Sequence, residues 1–305
     1  MTWTERPSTP SRVRPLVSTL LVGLGACSSS GPVPPPDRDA PRPANTPSEE
    51  VTEPWEATLR QIEANLRDGQ DQQDLERASK ELERWVEEHP DALPLRIRLA
   101  EVHYYRGAAF PDSGDPADAF EAGVGQSEAA LQRVPEWTAQ LRAGRSIEGL
   151  LADRNLAIPS DALYWYCRNL LAFAREGGLA TLLFYKDRLA AGFHRLELDA
   201  ARFDGGGPHR GQGVLRAVLP EYSGRDLDAS KRHFEAAGGL DASPWNNVAE
   251  AESWAREVGQ ADRARSLLKA VLQAAADRGR DAWAQRRARW LLEGGEPIGR
   301  KATTP

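Results

Sequence analysis

The stretch ASKELERWVEEHP, residues 78–90, decides the fold class. It is rich in strong helix formers and carries no β-branched run, so it reads as a helix that stops at Pro90. Within it a small residue, Ala78, is followed four positions on by Leu82, three further by Trp85 and five further by Pro90. That is the spacing of the second helix of a tetratricopeptide repeat. In such a repeat, small side chains let two helices touch and a bulky one fills the space between them. The same spacing recurs at Gly123, Ser127, Ala130 and Pro135, again at Ser230, Phe234 and Ala237, and more loosely at Ala264, Leu268 and Val271. Four occurrences, each near the end of a helix pair, predict an all-α chain: an αα-hairpin solenoid of tetratricopeptide-like repeats.

Outward from these segments, breaks fall at regular intervals and predict about 11–13 helices over residues 51–294. Among them are helices over Thr138–Leu151, Ser160–Glu176, Leu179–Ala201, Pro208–Leu219 and Pro244–Val258. Ser160 is the expected N-cap of its helix. Pro208 and Pro244 fit the first helical position, where a missing N–H costs nothing. Residues 295–305 are expected to form a disordered tail.

The N-terminal region has a different composition. Arg6, Arg12 and Arg14 precede a short apolar run, Leu16–Ala26, about half the length of a membrane span. This reads as a signal peptide over residues 1–26. The run ends Leu24-Gly25-Ala26-Cys27, which resembles the bacterial lipobox and makes Cys27 the expected lipidation site. Residues 28–49 hold seven prolines and no aromatic. Residues 27–50 are therefore expected to be a lipidated cysteine on a disordered tether, with a reach of about 70 Å. The expected location is the periplasmic side of the cell envelope, anchored by lipid alone. Ser28, standing where Asp would signal inner-membrane retention, favours the outer membrane.

Composition excludes several functions. The net charge is −6 and becomes more negative once residues 1–26 are removed, which argues against nucleic acid. The histidines, His89, His103, His194, His209 and His233, show no metal-ligand spacing, so no metal is expected. No Gly-x-Ser-x-Gly elbow exists, and Cys167 sits in an apolar helical stretch without an activating motif. Neither an enzyme nor a bound cofactor is expected. The glycine cluster of residues 205–213 lacks the Gly-Lys-Ser/Thr ending of a phosphate loop. Gly211 and Gly213 lie inside a helix, where each costs about 1 kcal/mol against Ala. Close approach to a neighbouring helix or to a ligand would offset that. His209 and Arg210 are the polar side chains best placed to meet something bound there. Tyr164, Trp165 and Tyr166 are consecutive, so they spread around their helix and meet more than one layer, ligand or subunit.

A family resemblance rests on the second half. Residues 162–169 (ALYWYCRN), Tyr185-Lys186, residues 203–213 (FDGGGPHRGQG), Pro220, residues 224–236 (GRDLDASKRHFEA) and residues 284–293 (AQRRARWLLE) follow in order. This order resembles the TRAP transporter T-component family, also called TatT, over about Ser160–Glu293. Those proteins are periplasmic lipoproteins built of tetratricopeptide-like helix pairs. The resemblance implies a non-catalytic accessory that oligomerises around a pore. It also implies a partner, a periplasmic substrate-binding protein or another envelope protein, and a small apolar-tailed or organic-acid ligand. Tyr164, Trp165, Asn169, Lys186, His209 and Arg210 form the candidate binding surface. The alternative is a structural scaffold or assembly lipoprotein of the envelope with no transport role.

Overall fold

The computed structural model describes residues 53–69, 71–276 and 279–299. Cys27, the signal peptide and the tether lie outside them. The described residues are helical with no strand. The helices are α1 (Pro54–Asp68), α2 (Gln72–Glu88), α3 (Leu93–Ala109), α4 (Pro116–Leu131), α5 (Pro135–Arg142), α6 (Ile147–Ala152) and α7 (Ser160–Glu176). They continue with α8 (Leu179–Ala200), α9 (Phe203–Val218), α10 (Leu227–Leu240), α11 (Pro244–Glu252), α12 (Trp254–Glu257), α13 (Ala261–Gln273) and α14 (Gly279–Leu292). A 3-10 turn, Glu221–Ser223, precedes α10.

Local chemistry sets many of the boundaries. Asp71 and Asp74 form a reciprocal capping box at the start of α2. The Asp226 carboxylate accepts from the Ala229 N–H at 2.8 Å and starts α10. Two expected helices are each broken in two. Gly144, at φ +84°, ends α5 in the left-handed region, and Ser146 then caps α6. Ser253, at φ −120° and ψ −87°, separates α11 from α12, and its hydroxyl donates to the Ala249 carbonyl at 2.5 Å. Ser160 is the first residue of α7 and not its cap; Pro159 holds the cap position, without a side-chain hydrogen bond.

Successive helices stack. α2 packs on α3, α3 on α4, α7 on α8, and α9 on both α8 and α10. α7 also packs on α4, and the short α5–α6 segment between them lies against α8 through α6, with Leu150 and Leu151 buried. The repeat positions explain why the helices can approach so closely. A Cβ added at Gly123 would overlap Asn169 of α7, and one added at Gly206 would lie 2.8 Å from the Ala237 backbone. Leu82, Ser127, Ala130, Ser230, Phe234, Leu268 and Val271 are all buried.

The array closes on itself. α14 packs on α13 and α11 and also on α3 and α1. Gly279 permits this, because a Cβ there would overlap the Leu66 and Gly69 carbonyls. Of residues 295–299, assigned by sequence to the tail, Gly295 and Glu296 lie against α14 and Gly299 reaches α7. Ile298 is buried, and the Gly299 N–H donates to Glu176 at 2.8 Å.

Candidate functional site

An aromatic hub fills the interior where α3, α7, α11 and α14 converge. Tyr104 and Tyr105 of α3 meet Trp165 of α7 and Trp245 of α11, and the Tyr105 and Trp283 rings lie 4.8 Å apart. Offset and edge contacts of this kind add to the burial of large apolar rings. All three of Tyr164, Trp165 and Tyr166 are buried, each against a different layer.

A polar cluster crosses this hub. At its centre is Asp204, whose φ of 48° begins a run of left-handed residues with Gly205 and Gly206. The Tyr164 hydroxyl donates to Asp204 at 2.5 Å. Arg210 donates to the same carboxylate, to the Tyr164 oxygen at 2.7 Å and to Asn246 Oδ1 at 2.8 Å. Asn246 in turn donates to the Gly205 carbonyl at 2.9 Å. Burial disfavours the charged form of Asp204. The adjacent Arg210 and Arg280 charges and the Tyr164 hydroxyl outweigh it, and hold the carboxyl below its ordinary range. Buried charges with so many partners fix a backbone that is otherwise strained.

A second cluster surrounds Glu252, the last residue of α11. Arg287 of α14 donates to it at 2.9 and 3.1 Å, and Arg175 of α7 lies 3.7 Å from its other oxygen. All three side chains are buried. Two guanidiniums on one carboxylate leave a local excess of positive charge. Glu252 also lines three hollows. One is a small hollow of about 20 Å³ beside Tyr104 and Arg168, which has room for a water and not for an organic ligand. The second is a groove of about 180 Å³ against Ile298. The third is an open groove of about 360 Å³ between α11, α13 and α14, walled by Ala251, Ala264, Leu268, Leu291 and Leu292 with Arg256 and Arg265 beside them. That size falls at the lower end of small-molecule sites, which run from about 300 Å³ upward.

The residues singled out from sequence separate into groups. Tyr164, Trp165 and Arg210 come together in the hub. Asn169 is wholly buried and donates to the Ala100 and Trp165 carbonyls at 3.0 and 2.8 Å, joining α7 to α3. Lys186 stands apart on α8, 3.7 Å from Asp187. His209 points away from the hub, toward His233. Glu252, Arg175 and Arg287 were not singled out. Arg175, in the last turn of α7, reads in sequence as a charge complementing the helix dipole. Ala264 and Leu268, at repeat positions, and Arg287, Leu291 and Leu292, inside the 284–293 stretch, carried a signal. Cys167 is buried as expected, and burial pushes its thiol up, away from a reactive thiolate. Among the described residues no helix is long and apolar enough to cross a membrane.

The model of one protein family, described as TRAP transporter T-component, matches residues 123–298. The match runs from within α4 through α14, with both polar clusters and the open groove. No curated protein matches the chain.

Proposed function

This chain belongs to the TRAP transporter T-component family, and on that premise we propose that it is a non-catalytic accessory of a TRAP-type transport system at the cell envelope. Cys27 carries the lipid that holds it to the membrane, with the outer membrane as the favoured site, and residues 28–50 act as the tether. The helical-repeat body engages a periplasmic substrate-binding protein and assembles with further copies of itself. The groove beside Glu252 takes a small carboxylate with an apolar tail. Leu268, Leu291 and Leu292 would cover the tail, and Arg256 and Arg265 would meet the carboxylate.

The observation that carries this reading is the family match over residues 123–298, which includes every residue of that groove. Affinity capture with the detergent-solubilised full chain tests the partner. A substrate-binding protein recovered in stoichiometric amount supports the transport role. Recovery of only assembly or cell-wall proteins would instead favour an envelope scaffold. Calorimetric titration with octanoate and succinate tests the groove. Octanoate should bind more tightly than succinate, because it alone brings an apolar tail.

A further inference from the structure

Three polar side chains meet where α8, α9 and α10 adjoin. Glu197 comes from the end of α8, His209 from the start of α9 and His233 from α10. The left-handed run at 204–206 reverses the chain between α8 and α9 and so returns His209 to the level of Glu197. The α9–α10 hairpin brings His233 beside His209, although 24 positions separate them. Glu197 Oε1 lies 3.0 Å from His209 Nδ1 and 2.9 Å from His233 Nδ1, and the two Nδ1 atoms are 3.3 Å apart.

This triangle has the dimensions of a metal-ligand set. Ligand atoms at about 2.0–2.1 Å from a tetrahedral zinc ion lie about 3.3 Å from one another. An ion displaced by about 1 Å from the plane of these three atoms reaches all of them at that bond length. Hydrogen bonding alone leaves the cluster unresolved. The only hydrogen bond of good geometry runs between the two imidazoles, and the buried Glu197 Oε1 accepts none despite two nitrogens within 3.0 Å. A cation between the three satisfies both ring nitrogens and the carboxylate together. His194, one turn earlier on α8, stands 3.8 Å from the other Glu197 oxygen, outside hydrogen-bond reach. The imidazole side chains remain about a quarter exposed, which leaves an approach from solvent.

We propose that Glu197, His209 and His233 bind one divalent transition ion of the zinc class, with three protein ligands and a further position open to water or an incoming oxygen ligand. Two imidazoles select such ions over magnesium and calcium. The ion would clip α8, α9 and α10 together.

The test uses the untagged full chain in detergent, stripped with chelator and titrated with Zn²⁺ by calorimetry and with Co²⁺ by visible absorption. The expected result is one ion per chain and the ligand-field bands of four-coordinate Co²⁺. Glu197→Gln, His209→Ala and His233→Ala should each weaken Zn²⁺ binding at least about tenfold. His89→Ala, far from the cluster, should leave it unchanged. Zn²⁺ should raise the thermal midpoint of the native chain and not that of Glu197→Gln, a near-isosteric change that keeps the helices intact. Stoichiometric binding that survives in the His209→Ala/His233→Ala double variant would overturn the assignment. So would failure of the fully helical native chain to bind either ion.

Discussion

Arg280 donates to Glu101 across 179 positions of sequence, joining α14 to α3. Glu101 is buried and is also held by Arg98, which in turn pairs with Glu63 of α1. One carboxylate thus links the first, third and last helices of the array. Removing a hydrogen-bond partner from a buried charge is costly, since the remaining group cannot be rehydrated. Arg280→Ala should therefore destabilise the chain by about 1–3 kcal/mol, tempered by the partial exposure of Arg280 and by the remaining partner Arg98. Thermal unfolding followed by circular dichroism should show a midpoint about 2–10 °C lower.

His103 supplies a pH dependence. It is buried in α3, and that burial, reinforced by Arg106, lowers its pKa from 6.5 to about 4. The unfolded chain therefore binds a proton between pH 6.5 and pH 4 that the folded chain resists. Its effect on stability is absent above pH 6.5 and grows as the pH falls toward 4, reaching about 3 kcal/mol of destabilisation. Urea titrations at pH 7.5 and pH 5 should show about 2 kcal/mol of this loss. In His103→Gln, compared at the same two values, the difference should shrink.

Two glycines of similar helical context should respond oppositely to alanine. A Cβ at Gly211 of α9 would overlap the buried Phe193 ring, which has nowhere to move. Gly211→Ala should cost about 1–3 kcal/mol through overpacking. Gly125 of α4 has open space around its Cβ position. Gly125→Ala should stabilise by about 0.4–1 kcal/mol, because alanine restricts the unfolded chain and favours helix. Urea midpoints of the two variants, measured side by side, decide both.

The groove can be closed without touching its ionic floor. Ala264 sits on its wall, half-buried. Ala264→Trp should fill the space and weaken octanoate binding at least about tenfold, while unfolding changes little, since the added ring packs on Leu268 and the adjoining apolar wall. Unchanged octanoate affinity in a folded Ala264→Trp chain would place the ligand elsewhere.

Much of the architecture was legible because it depends on nearest neighbours. The spacing Ala78, Leu82, Trp85, Pro90 and its echoes encode which face of each helix is buried, and the caps at Asp71 and Asp226 act within three residues. Gly211 and Gly213 were legible too, and they meet the Phe193 and Phe234 rings, whereas Gly125 of α4 meets nothing. The breaks at Gly144 and Ser253 were less visible, because the helical pattern runs on through both. What could not be read is what depends on closure and stacking. Nothing in the spacing of Arg175, Glu252 and Arg287 indicates that three helices will aim them at one point. His209 and His233 are likewise too far apart in sequence to suggest a pair, and Glu197 joins them only after the chain reverses at 204–206.

The closure of α14 onto α1 and α3 bears on how such a protein can change over generations. An open solenoid tolerates the gain or loss of a repeat, since each unit touches only its neighbours and the ends are free. Here the last helix must arrive at a fixed height and angle to seat Gly279 against the Leu66 and Gly69 carbonyls. A duplicated helix pair would carry α14 past that seat and unmake the hub at the same stroke. The number of units is thereby constrained, and side chains are freer to vary than the count of helices.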